Sequence, residues 1–501
     1  MTHIRPRPPA PHRLMIAATA LAALLCCGHA GLADSKTTVK AALPEEPQSL
    51  DPIFDTNLPA LNIFYNVFDQ LAGIDVNGHV VPKLATSWSF SPDLKTWRFM
   101  LRSDVTCHDG TPLTADDVVF TYQTAKTDAK SRLGGYLMAI DTITAKGSSE
   151  VDFVLNKPFA PFDRQTTLVP IVCAAAYKRL GAAQFARAPV GSGPYAVVSW
   201  LPGDAITLKR FEHYWGHPGT YANVVFQPVP DETTRANAVQ SGDLDIALLG
   251  PSSVPAVRAS GAVDVVSVPS NRVLYLGFNS RQPWLQQPEI RKAIDMAIDR
   301  KAVSARLLIG SVEPTSQLVA PVSFGYDAAI PATASDPAKA KAMIAASGYK
   351  GAPILLSYPS SGLPQIDQIA QAVGFFLQQA GLTVTLHAEE YDTYLNDWFS
   401  GKLNGLYLFA FAPSVMDADL PFNMLLRTGG QGYFSEPRID TLLDQQIGQA
   451  DPGQRAATLS QISRVVNETT YYAPLFIDIY TYGVTKGVTW TPRPDGMIVF
   501  N

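Results

Sequence analysis

The chain has 501 residues, 47% of them hydrophobic and only 17% charged, with 39 Lys and Arg against 44 Asp and Glu. That length exceeds what one core supports, so two lobes or more are expected; 35 dispersed Gly, 39 dispersed Pro and 10% aromatics exclude collagenous and disordered chains. An acidic balance of −5 with no basic block argues against a nucleic-acid partner.

From the N-terminus, Arg5, Arg7 and Arg13 precede an uncharged apolar run from Leu14 to Cys27, and Gly31-Leu-Ala33 then offers small residues. This pattern reads as a secretory signal peptide over residues 1–33, because the apolar run is too short to span a membrane. A lipidated cysteine is a poorer reading, since Leu25 and Cys26 are not the small residues expected before Cys27. Cleavage after Ala33 would leave 36 basic against 44 acidic residues, a balance of −8. The expected location is the periplasm, with no nucleic acid or cofactor involved. Cys107 and Cys173 remain after cleavage, in a space where disulfides persist. They are either two buried thiols or a bond closing a 66-residue loop, which the chain-entropy relation values at about 4 kcal/mol.

Thr38 to Leu43 reads as a strand, and Leu58 to Leu71 as a helix with Leu61, Phe64, Tyr65, Phe68 and Leu71 at helical spacing. Trp97 to Arg102 alternates as a strand, His108 to Pro112 is a turn, and Thr114-Ala-Asp-Asp117 caps the next helix. Ile206–Arg210 and Val224–Val229 are strands, and Asp231 to Gln240 begins a helix with an acidic first turn. Leu274 to Asn279 is a strand, followed by a helix through Ile290, Ile294 and Ile298. Helices at Pro337–Ser347 and Gln365–Ala380 alternate with strands at Ile354–Tyr358 and Thr383–Ala388, which implies a mixed or parallel sheet. Helices at Arg438–Ala450 and Gln454–Glu468 precede a strand at Pro474–Thr481.

The motifs that resemble catalytic ones fail on spacing. Val190-Gly-Ser-Gly-Pro-Tyr195 lacks the Gly-x-Ser-x-Gly elbow, and Gly216 and Pro218 break any helix that would align His213 with His217. His108-Asp109 belongs to turn chemistry. No nucleophile, base and oxyanion donor assemble, so neither a catalytic residue nor a metal site is expected. Instead, Tyr391, Tyr394, Trp398, Tyr407, Phe409 and Phe411 crowd one segment near Asp392, Asp397, Asp417 and Asp419. Most such rings pack cores, yet rings mixed with carboxylates also suit a pocket for a polar organic ligand.

Ordered strings along nearly the whole chain carry a resemblance. They include Ser49-Leu-Asp-Pro52, Val81-Pro-Lys-Leu-Ala-Thr-Ser-Trp88, His108-Asp-Gly-Thr-Pro-Leu-Thr-Ala-Asp-Asp-Val-Val-Phe120, Gly191-Ser-Gly-Pro-Tyr195, Gln240-Ser-Gly-Asp-Leu-Asp-Ile246 and Ala297-Ile-Asp-Arg300. With these the sequence resembles the family 5 extracellular solute-binding proteins, the oligopeptide, dipeptide and nickel binders of ATP-driven (ABC) importers. The resemblance implies an α/β fold of two lobes around a cleft, of the class II-like periplasmic-binding-protein type, with mixed sheets and a hinge crossed twice. Lobe one would comprise residues 34–277 and 477–501, including a subdomain at about 75–188, and lobe two residues 278–476. The crossings are placed near Tyr275–Ser280 and Leu475–Tyr482.

The implied function is capture of a peptide or modified peptide and its delivery to permease subunits in the inner membrane, by a monomer without enzyme activity. Candidate cleft residues are Tyr275, Asn279, Tyr391, Trp398, Phe411, Ser414, Asp417, Asp419 and Tyr480. One departure stands out: Ser414 falls where peptide binders of the family carry an Asp for the peptide's α-ammonium. Asp417 or Asp419 would either substitute for that Asp or cap a helix. Glutathione-like compounds, opines and other small polar organics are the alternative ligands, and an exported hydrolase on the same body is the rival of another class.

Overall fold

The structure, a computed structural model, describes residues 36–500; the leader read at residues 1–33 lies outside them. Among the described residues, eleven strands join in one mixed sheet. Its main strands in chain order are β1 (Thr38–Leu43), β2 (Tyr195–Leu201), β3 (Ala205–Arg210), β4 (Asn223–Pro228), β5 (Ile246–Leu248), β6 (Val263–Phe278), β7 (Ile354–Pro359), β8 (Val384–Glu389), β9 (Leu406–Phe411) and β10 (Tyr472–Thr485). Across the sheet they run β8-β7-β9-β6-β10-β5-β1-β4-β3-β2. The αβαβ pattern of the second half gives the parallel contacts β7–β8 and β7–β9, and β7 is accordingly apolar on both faces.

The two longest strands, β6 and β10, are antiparallel partners from Val263 opposite Thr485 to Gly277 opposite Tyr472. Their register breaks between Pro269 and Val273, where Ser270, Asn271 and Arg272 face Asp478 alone. Before that bulge, Val266, Val268, Tyr480 and Tyr482 pack into a core with β1, β3 and β4. Beyond it, Leu274, Leu276, Phe278 and Phe476 join a second core under the helices Pro288–Ala297 and Ile366–Gln379. The division between cores therefore falls at residues 270–272, ahead of the Tyr275–Ser280 crossing read from the sequence. Tyr275 to Phe278 are already paired with β9. Apolar alternation marks that strand, but a bulge has no periodic signature.

A third core belongs to a four-stranded antiparallel sheet, its order Ala85–Phe90, Thr96–Leu101, Glu150–Leu155, Ile140–Ala145. The helix Ala115–Thr127 covers it, opened by a capping box in which Asp117 Oδ2 accepts from the Thr114 amide at 2.7 Å. Cys107 and Cys173 are joined by a disulfide inside this core.

The helix at Leu58 ends at Val67 rather than Leu71. The amide of Gly193 donates to the Val67 carbonyl at 2.9 Å, and a Cβ at Gly193 would lie 2.6 Å from that carbonyl carbon. Residues after Val67 leave the helix, so that buried Asp69 accepts from Ser192 Oγ, Tyr214 Oη and Trp215 Nε1. His108 serves the same turn: Gly191 N donates to its Nδ1 at 3.3 Å and its Nε2 lies 3.0 Å from the Gly193 carbonyl. Burial lowers the pKa of this imidazole to about 4. The Gly-Ser-Gly-Pro-Tyr string is thus a packing turn, and Ser192 is spent on Asp69.

Replacing both Cys107 and Cys173 by Ser should lower the unfolding free energy by about 2–4 kcal/mol. Urea titration of oxidised wild type and variant checks this; equal midpoints would show that the loop closure contributes nothing.

Candidate functional site

The bulge in β6 is fixed from three sides. Ser270 Oγ accepts from the Arg272 amide at 3.0 Å, Asn271 N donates to the Pro494 carbonyl at 3.0 Å, and Asn271 Nδ2 donates to the Pro413 carbonyl at 2.9 Å. The central residue thereby clips the loop after β9 and the C-terminal segment to the strand crossing. The guanidinium of Arg272 turns toward Asp478, with Nη1 to Oδ2 at 3.3 Å. Beside the phenol of Tyr480 and this carboxylate, Arg272 is held charged above the ordinary arginine range. Burial raises the pKa of Asp478 despite its partner.

Next to the bulge is a cavity of about 190 Å³. Leu58, Leu61 and Tyr65 of the first helix line one wall, and Leu133, Tyr136 and Leu168 of the small-sheet region a second. Ala412 and Ser414, from the loop after β9, face them, and Asn271, Arg272 and Tyr480 form the floor. Asp495 also lines it, but its carboxylate is engaged by Arg493 Nε at 3.0 Å and Nη2 at 2.6 Å and by the Met497 amide at 3.0 Å. The first and third cores, the loop after β9 and the strand crossing thus contribute to one enclosure.

Of the residues singled out from the sequence, Ser414 and Tyr480 line this cavity. Tyr391 is half-buried and electrostatically coupled to Arg272. Phe411, also half-buried, ends β9 against the aromatic core. Tyr275 and Trp398 lie inside that core, against Tyr472 and Phe409 with ring centroids 5.1 and 4.7 Å apart. Asn279 is buried and donates to the Leu403 carbonyl at 2.7 Å. Arg272, Asn271, Tyr65 and Tyr136 were not singled out, because an isolated polar or aromatic residue on a strand or helix carries no signal of the face it takes.

Asp417 and Asp419 occupy a different place. Asp417 is fully buried and takes a bidentate pair from Arg455, Nη1 to Oδ2 at 2.8 Å and Nη2 to Oδ1 at 2.6 Å. Its Oδ1 also accepts the Asp419 amide at 2.9 Å, a turn bond just ahead of the helix Asp419–Leu426, whose N-cap is Ala418. Burial alone would raise its pKa, but Arg455, with help from Arg164, holds it below the carboxylate range. Asp419 accepts from Asn423 Nδ2 at 2.8 Å and from Gln446. Burial and the neighbouring Asp417 raise its pKa to about 6. It lines a second cavity, of about 510 Å³, to which the strand crossing contributes no residue.

Arg164, from the small-sheet region, reaches the same cluster. Its Nε lies 3.4 Å from Asp417 Oδ2, and its Nη1 donates to the carbonyls of Gly78 at 2.9 Å and Met416 at 3.3 Å. Gly78 itself abuts Val322: a Cβ there would sit 2.0 Å from the Val322 carbonyl oxygen, and its φ of +79° favours glycine independently. Ala160 N donates to the Ile447 carbonyl at 2.8 Å. These contacts tie the two sides of the enclosure together away from the cavity.

A cavity walled by several elements beside a doubly crossed mixed sheet is the arrangement of a two-lobe ligand-binding fold. The profile of "Bacterial extracellular solute-binding proteins, family 5 Middle" matches residues 79–433, and the chain belongs to that family. The probable D,D-dipeptide-binding periplasmic protein DdpA of Escherichia coli (strain K12) is 25% identical over 88% of this chain and 89% of that protein. The periplasmic oligopeptide-binding protein OppA of the same strain is 26% identical over 93% of both. The crystal structure of the ABC transporter substrate-binding protein CtaP from Listeria monocytogenes superposes with a TM-score of 0.83 at 23% identity, covering 93% of this chain and 98% of that one.

Arg455→Met should cost about 3–5 kcal/mol in denaturant titration, because it strands the buried Asp417 charge. Asp419 predicts a pH effect of definite sign. The folded chain keeps a proton that the unfolded chain releases between about pH 4 and 6, so this group's contribution to stability falls as pH rises through that window. Asp419→Asn removes the loss and should gain stability relative to wild type between pH 4 and pH 7; a difference that does not change with pH would refute the raised pKa.

Proposed function

We propose that the protein captures a peptide or modified peptide in the cavity at the strand crossing and hands it to the permease of an ATP-driven importer. The observation that carries this reading is the enclosure itself: two lobes and the crossing contribute walls to one cavity, so a ligand touching both favours closure. Family membership and the dipeptide- and oligopeptide-binding relatives support the ligand class. A cavity of about 190 Å³ is smaller than the roughly 300–1,000 Å³ of drug-sized pockets, which favours short ligands over long peptides.

In this reading the lobes divide at the Ser270–Arg272 bulge and near Asp478, and closure is a rotation about those two crossings. Tyr391, Ser414 and Tyr480 contact the ligand or its immediate shell. Asp417 serves lobe contact instead, through Arg455 and Arg164. The N-terminal leader directs export, and the relatives' periplasmic setting supports that placement. No described helix is long and apolar enough to cross a membrane. Delivery is by a monomer, without covalent chemistry.

A thermal-shift screen of di- to hexapeptides, glutathione and opines tests the ligand class. At a hundredfold excess over its dissociation constant, a true ligand adds about 2.7 kcal/mol. Peptides that leave the melting temperature unmoved, beside a non-peptide that raises it, would overturn the peptide assignment. Arg164→Met should weaken the affinity of any ligand so found by about tenfold, through loss of a contact made across the lobes rather than to the ligand; unchanged affinity in calorimetry would remove Arg164 from the closure mechanism.

A further inference from the structure

We propose that Arg272 is the residue that selects the ligand, by docking a carboxylate, and that a free α-ammonium is not required. This inference rests on the cavity at the crossing being the ligand site, and it names the chemistry that site reads.

The bulge that interrupts β6 places Arg272 on the cavity floor. Its side chain keeps 23% of its surface exposed while the neighbouring Asn271 and Tyr480 are buried. Among the described residues its guanidinium has a single acceptor, Asp478 Oδ2, held by one long contact of 3.3 Å. A guanidinium carries five N–H donors in a planar fork suited to a carboxylate. Most of that fork remains unspent toward the cavity. Charge-assisted pairing of this kind is roughly twice as strong as a neutral hydrogen bond, and it strengthens in a desolvated enclosure.

The one carboxylate among the residues lining the cavity, Asp495, is committed. Asp495 is saturated by Arg493 and the Met497 amide. Asp478 faces Arg272, and Asp417 is turned into its pair with Arg455. Ser414, exposed on the cavity wall, offers a neutral hydroxyl. The cavity lining therefore presents a cation with donors to spare and, among its described residues, no carboxylate free to meet an ammonium. Recognition led by a ligand anion follows, with Ser414 and Tyr480 supplying neutral hydrogen bonds beside it.

Calorimetry on the purified chain tests this with one dipeptide library prepared in three forms, free, N-acetylated and C-terminally amidated, together with an N-(carboxyalkyl)amino acid. The free and N-acetylated forms should bind within about tenfold of one another, and the amides at least about tenfold more weakly. Arg272→Gln should abolish that preference, and Arg272→Lys, which keeps a charge beside Asp478, should restore part of it. Because the three library forms are compared on wild-type protein, the test survives a variant that folds poorly. Amides binding as well as free acids would overturn the role of Arg272 and leave the peptide reading intact. Binding of the N-(carboxyalkyl)amino acid alone, lost in Arg272→Gln, would support Arg272 and overturn the peptide reading. Silence of every acid at millimolar concentration would overturn both.

Discussion

The pairing of β6 with β10 is the constraint on which the molecule depends. These two strands hydrogen-bond to one another from the first core into the second, so one ladder supports both lobes. Such a ladder resists shear and stretching yet permits bending where its register is broken. The break is local: three residues of one strand stand opposite a single residue of the other. Side-chain and backbone bonds of Ser270, Asn271 and Arg272 hold that irregularity in one geometry, and the cavity is built directly upon it.

Charge is distributed in keeping with this arrangement. The fully buried Asp417 sits with Arg455 and Arg164 where two bodies meet, and its pairing fixes a contact without facing the cavity. A buried pair of this kind is costly to break and contributes little beyond specificity of geometry when intact. At the crossing the balance is reversed, with a guanidinium open to the cavity and a carboxylate behind it. The low overall charged fraction of the chain makes such placements conspicuous, because few ionic groups are available to be spent inside.

Much of the architecture was legible in the sequence because long amphipathic and apolar segments state their period. The strand Thr38–Leu43 and the Thr114-capped helix carry their own boundaries, and the strand read at Ile354–Tyr358 runs one residue further, to Pro359. The resemblance to family 5 supplied the class of fold, which composition alone did not. Individual site positions were less legible. Tyr275, Asn279 and Trp398 have the residue types of a polar organic pocket, yet their backbone directs them into the aromatic core, where they pack against Tyr472, Leu403 and Phe409. Arg272 was passed over for the converse reason: its place on the cavity floor depends on a bulge, and a single extra residue in a strand leaves no periodic trace. Asp417 was read as either a ligand contact or a helix cap. It accepts the Asp419 amide in a turn ahead of the helix, whose N-cap is Ala418, and its pairing with Arg455 could not be read from residues 38 positions apart.

The amide groups of Asn62 and Asn66 hold the end of the chain: Asn62 Oδ1 accepts from Ile498 N at 2.6 Å, and Asn66 binds both the Ile498 carbonyl and the Phe500 amide. Ile498 and Phe500 are members of the core that contains β1. A chain synthesised from its N-terminus therefore begins this core first and completes it last. Until residues 472–485 are available β5 lacks its partner β10, and until residues 498–500 follow, the first helix lacks the segment that satisfies its asparagines. The second lobe, whose chain is an insertion between these ends, has nearly all its strands in hand earlier. The order in which the chain emerges thus keeps the first lobe unfinished until after the second has nearly all its strands, a delay set by topology.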